Sequence, residues 1–184
     1  MSAVSHADPS QGGCAMRVKR GKPADYETFS TRPVPIRPFD PESKRAALVY
    51  GAQLNERLAS LGVAAELHGS LALELAGKGE WEFSLFPSPD QWYPTLTLLV
   101  NHFRGVFSMS EEVVMFNDVC DGHNVEVIVF RGDTAACNRA IMQYWRDHPE
   151  ARADYEAQKY LHCHSKRDYY RWKDNYIADI LETL

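Results

Sequence analysis

The chain has no C-x-x-C pair, and Cys14, Cys120, Cys137 and Cys163 stand far apart. That spacing excludes a disulfide framework and a paired-thiolate metal site, and it reads as free thiols in a reducing compartment. No apolar run approaches the ~20 residues of a membrane-spanning helix, and no apolar signal core follows Met1. Positive charge is not in excess either: 20 Lys and Arg against 25 Asp and Glu leave a net charge of -5. Nucleic-acid binding by bulk electrostatics is therefore not expected. These absences suggest a cytoplasmic protein without a membrane partner. What the chain does have is material for a core. Its 184 residues are 45% hydrophobic and 11% aromatic, which excludes global disorder and suits one domain of ordinary size.

Residues 1–25 are dominated by Ser, Gly, Pro and Asp, with a basic cluster at Arg17, Lys19, Arg20 and Lys22. They read as a disordered, dispensable tail ahead of a domain over 26–184. Residues 34–39 are expected to be extended, because each proline denies helix to its predecessor. Asp40 then caps a helix with Pro41 at its first position, and Gly62 stops it. Residues 63–68 read as a strand running into Gly69-Ser70, followed by a helical turn over 71–75. In residues 80–86 Trp81, Phe83 and Leu85 alternate with Glu80, Glu82 and Ser84, which predicts a strand with one buried face. A helix follows with Trp92, Leu96, Leu99, Val100 and Phe103 as its apolar stripe. Strands are expected over 106–109, 113–116 and 125–130, the last entered through Asp121-Gly122. A helix capped by Asp133 or Thr134 runs to His148-Pro149, and helices over 151–159 and 166–181 close the chain. The expected fold is a mixed α/β sheet flanked by helices, with a helical C-terminal part.

The most informative segment is His68-Gly69-Ser70, nine residues, then Glu80-Trp81-Glu82. Glycine lets a backbone approach a phosphate, and the Ser70 hydroxyl and neighbouring amides can hold it. Carboxylates two apart on a strand point to the same side, so Glu80 and Glu82 can share a hard cation such as Mg2+. Glu126, between Val125 and Val127, is the candidate third ligand. Lys78, Arg146, Lys159 and Lys173 are candidates to grip a triphosphate or other phosphorylated substrate. The plainer readings are a tight turn at Gly69-Ser70, a solvated strand face for the carboxylates, and solubilising basic residues. His162-Cys163-His164 reads as helix surface rather than a metal site, since alternate helical positions point apart. Trp145, Tyr155, Tyr169, Trp172 and Tyr176 read as helix-packing core.

The Gly-Ser turn followed by spaced carboxylates resembles the nucleotidyltransferase superfold. Residues 35–41 look like the V-P-Y-D-P opening of the GrpB family, and His68-Gly69-Ser70 looks like its H-I-G-S-T turn. Residues 76–82 are similar to its A-A-K-P-I-I-D, which places the family aspartate at Glu82. Tyr144, Arg146, His148-Pro149-Glu150, Asp154-Tyr155, Lys159, Tyr169-Tyr170, Lys173 and Tyr176-Ile177 fit its C-terminal helices. The resemblance covers roughly residues 32 to 181. It implies transfer of a nucleoside monophosphate from an NTP to a small acceptor with Mg2+. The sequence departs from the family by carrying Glu for Asp and Ile141-Met142-Gln143 for F-R-D. Those departures imply the alternative: a catalytically inactive member that binds a nucleotide, a CoA-like ligand or a protein partner.

Overall fold

The computed structural model describes residues 26–184. The expected tail over 1–25 lies outside the described residues. Helix α1 (Pro41–Leu58) begins where Asp40 accepts the Glu42 N–H and Pro41 needs no donor partner. A short 3-10 turn (Ala59–Leu61) carries it to Gly62, which takes the left-handed conformation. Next come strand β1 (Ala65–His68), a single helical turn α2 (Gly69–Ala72) and strand β2 (Trp81–Leu85). Helix α3 (Pro89–Phe103) starts from a Ser88–Gln91 capping box. Strands β3 (Ser108–Met109), β4 (Val113–Cys120) and β5 (His123–Phe130) follow. Helices α4 (Gly132–Asp147), α5 (Pro149–His162) and α6 (Lys166–Leu181) end the chain.

The sheet order is β1-β2-β5-β4-β3. Only the β2–β5 pairing is parallel. The fold is therefore a mixed α/β sheet with helices around it and a helical C-terminal part. One face of the sheet buries Trp81, Phe83, Leu85, Val125, Val127 and Val129 against α1 and α3. Each such side chain contributes about 1.5–3 kcal/mol by leaving water. Trp81 keeps its indole N–H satisfied by donating to the Ser43 hydroxyl at 2.9 Å. A second cluster joins Leu73 and Leu75 to Ile141, Met142, Trp145 and Tyr155 of the C-terminal helices. Trp145, Tyr155 and Trp172 stack in series, and His162 stacks on Trp172 at 4.9 Å.

The structure corrects the sequence reading at several points: the turn expected over 71–75 is Gly69–Ala72, the strand expected over 106–109 is Ser108–Met109, and Glu80 lies just before β2. Helix α4 starts at Gly132 after Arg131, with no side-chain cap; Thr134 hydrogen-bonds Glu112 instead of capping. Val100 is exposed rather than part of the buried stripe. Ser84 is only 1% exposed, so the polar face of β2 is covered rather than solvated there.

Candidate functional site

Pairing brings His68, Glu82 and Glu126 to one level of the sheet, as successive cross-strand partners, with Asn117 beyond them on β4. These residues project opposite to the Trp81–Phe83–Leu85 face, as a period of two requires. Gly69 begins α2 at φ +64°, a backbone region that side chains rarely adopt. A Cβ there would lie 1.9 Å from Glu82 Oε2, so the carboxylate rests directly on the Gly69 backbone. Glycine is required twice over, by conformation and by contact.

A cleft of about 110 Å³ opens at this point, lined by Ser70, Lys78, Glu80, Glu82, His123 and Lys173, with Arg37 and Asp40 at the α1 side. The loop over 77–79 is pinned to the extended segment before α1, where Arg37 and Gly77 exchange backbone hydrogen bonds of 2.8 and 2.9 Å. Helix α5 holds the preceding residue from the other side. Glu156 accepts the Ala76 N–H, and Lys159 Nζ donates to the Ala76 carbonyl at 2.7 Å.

Lysines balance the carboxylates. Lys78 Nζ lies 2.5 Å from Glu80 Oε2 and 3.2 Å from the Tyr170 hydroxyl. Burial works against the Lys78 ammonium, but Tyr170 and Glu80 hold its pKa above the ordinary lysine range. Tyr155 and Glu82 do the same for Lys173. Lys159 differs: it is 0% exposed, and its Nζ lies 2.8 Å from Ser70 Oγ. Burial and the nearby Lys173 lower its pKa to about 7.

Of the sequence candidates, Gly69, Ser70, Lys78, Glu80, Glu82 and Lys173 therefore meet in one place. Lys159 stands directly behind Ser70. Glu126 pairs with Glu82 but opens onto a separate hollow with Glu80, Asn117 and Asp118. Burial raises its pKa, opposed by Lys78 and reinforced by Glu80 and Glu82. Arg146 does not line the cleft; it lines a neighbouring groove with Glu66, His68 and Arg139.

Sequence reasoning missed His68 as more than a strand end. Both its ring nitrogens are buried without a partner among the described residues. Desolvation lowers its pKa to about 4, against a pull from Glu82 and helped by Arg146 and Lys173. Between pH 6.5 and 4 the unfolded chain takes up a proton that the folded chain refuses. Stability should thus be complete above pH 6.5 and fall by up to about 3 kcal/mol as pH drops through 4. Urea denaturation from pH 7 to 4 should show this loss in wild type and not in His68→Phe. Parallel curves for the two proteins would contradict it.

Among the described residues no three His, Cys, Asp or Glu side chains form a ready metal cage. Mg2+, however, is commonly held by one or two carboxylates with the remaining positions taken by water and substrate phosphates. Glu80 and Glu82, both lining the cleft beside Ser70 and two lysines, fit that donor chemistry. No family model matches the chain, and no curated protein matches it.

Proposed function

We propose that the cleft binds a nucleoside triphosphate with Mg2+ and that the protein transfers a nucleoside monophosphate to a small acceptor. This reading makes the chain a divergent relative of the GrpB family within the nucleotidyltransferase superfold. The observation that carries it is the convergence of Ser70, Lys78, Glu80, Glu82 and Lys173 on one cleft. Glu80 and Glu82 would hold Mg2+, which when bound neutralises charge developing on the phosphates. Gly69 makes room for the Glu82 carboxylate beside the cleft, and the Ser70 hydroxyl contacts a phosphate oxygen. Lys78 exchanges its Glu80 partner for a phosphate oxygen, and Lys173 steadies the leaving pyrophosphate. Catalysis of this kind consists of positioning and charge neutralisation. The setting is the cytoplasm, where the free cysteines stay reduced.

The lysine partners also favour a second reading. With Glu80 matched by Lys78 and Glu82 facing Lys173, the cleft is charge-balanced without a cation. A binding module for a nucleotide or CoA-like ligand, without catalysis, would need no more than this. Calorimetric titration of ATP, with and without Mg2+, separates the two readings. The transferase reading expects binding that requires Mg2+ and weakens at least tenfold in Glu82→Gln, with no drop in melting temperature. Equal affinity in wild type and Glu82→Gln would remove the metal role. Binding that ignores Mg2+ would favour the module.

A further inference from the structure

We propose that Ser70 and Lys159 form a serine–lysine nucleophilic pair, giving the cleft an acyl-transfer activity separate from nucleotide chemistry. The geometry carries this. Ser70 lines the cleft, and its Oγ lies 2.8 Å from a lysine amine with no solvent exposure. Among the described residues the amine's one other hydrogen-bond partner is the Ala76 carbonyl, which accepts a hydrogen from it. Nζ donates to both Ser70 Oγ and the Ala76 carbonyl; in its neutral form, with one hydrogen kept on Ala76, its lone pair turns to accept the Ser70 O–H, as a general base must. Gly77 fixes the serine from the other side: a Cβ there would lie 2.8 Å from Ser70 Cβ.

The amine's surroundings suit the neutral form. Tyr155 shields it from water on its own helix, with Nζ 4.5 Å from the ring centre, a ring face that by itself favours the ammonium. Lys173 on α6 repels a second positive charge, while Glu156 on α5 and Glu82 on β2 pull the other way. Burial decides the balance, and the pKa falls to about 7. Lys173 shares the cleft and stays charged, so it is the cation available to a developing oxyanion.

The reaction balances with water as the only co-reactant. Ser70 Oγ bonds to the carbonyl carbon of an ester or thioester while its proton passes to Lys159 Nζ. The bond from that carbon to the leaving group breaks, and the proton moves from Nζ to the departing alkoxide or thiolate. Water then gives a proton to Nζ as its oxygen bonds to the acyl carbon, and the carboxylic acid leaves as Ser70 recovers its proton. Lys78 and Lys173 select substrates carrying an anionic group.

A fluorophosphonate, which phosphonylates nucleophilic serines with loss of fluoride, tests the pair on the full chain at pH 8. One phosphonyl group per chain is expected, at Ser70 by peptide mass spectrometry, and none in Ser70→Ala. In Lys159→Arg, whose guanidinium cannot accept the proton, labelling should slow at least tenfold. The wild-type labelling rate should rise with pH through about 7. No labelling of wild type, labelling that survives Ser70→Ala, or an unchanged rate in Lys159→Arg would overturn the proposal. Should Lys159→Arg fail to fold, a wild-type rate flat from pH 6 to 9 overturns it alone. ATP binding with Mg2+ is measured on the wild type alone, because Ser70 also belongs to the proposed nucleotide site. Labelling without ATP binding removes only the nucleotidyl reading, and ATP binding without labelling removes only this one.

Discussion

Gly69→Ala is expected to destabilise the protein by about 2–5 kcal/mol and to abolish ligand binding in the cleft. Two effects add. The left-handed backbone at φ +64° costs a side chain about 1–2 kcal/mol. The new methyl would also sit 1.9 Å from Glu82 Oε2, and forcing such atoms apart typically costs a further ~1–3 kcal/mol. Glu82 would have to leave the Gly69 backbone, and with it the place the proposed chemistry needs. The double variant Gly69→Ala/Glu82→Ala removes the collision but keeps the backbone strain. It should recover about half of the lost stability and none of the binding. Denaturant unfolding of the three proteins checks this, and a Gly69→Ala within ~0.5 kcal/mol of wild type would contradict the packing described for the site.

The second large effect is a stability difference between wild type and Lys159→Met that grows with pH. An ordinary lysine holds its proton to pH 10.5, whereas Lys159 gives it up near pH 7 once folded. Between those values the unfolded chain binds more protons than the folded one, so wild-type stability rises with pH. The slope attributable to this one group is at most about 1.4 kcal/mol per pH unit. Methionine fills similar volume, does not titrate, and strands the Ala76 carbonyl, which costs about 1–3 kcal/mol throughout. Lys159→Met should therefore be closest to wild type at pH 7 and fall progressively behind toward pH 10. A constant difference across that range would mean that Lys159 stays charged in the folded protein.

Local patterns made much of the fold legible. Alternation along 80–86 placed Trp81, Phe83 and Leu85 in the core because a strand has only two faces. Asp40-Pro41 and Gly62 bounded the first helix because caps and breakers act within a few residues. The site was readable where it depended on the same local spacing: Gly69, Ser70, Glu80 and Glu82 meet because one turn, one strand and the residue just before that strand carry them. Long-range placement was not readable. Arg146 and Lys159 both look like solubilising residues on amphipathic helices. Only the packing of α4 beside β1 and of α5 on the segment over 70–76 sends Arg146 to a neighbouring groove and buries Lys159 behind Ser70. Glu126 reaches Glu82 through a parallel pairing of β2 with β5, across three intervening elements, which no local signal encodes. His68 was overlooked because its defining feature, two nitrogens without partners, exists only once α4 covers β1.

Paramagnetic broadening by Mn2+ tests most directly whether Glu80 and Glu82 hold a divalent cation beside a nucleotide in this cleft. Mn2+ takes the same oxygen donors as Mg2+, and its unpaired electrons erase nearby amide signals. With ATP present, the expected result is loss of the amide signals of Gly69, Ser70 and residues 80–82 first, at substoichiometric Mn2+. Signals of β3, three strands from β2 in the sheet, should persist, and excess Mg2+ should restore those lost. Uniform broadening, or broadening centred away from Gly69 and Glu82, would contradict the assignment of the cleft.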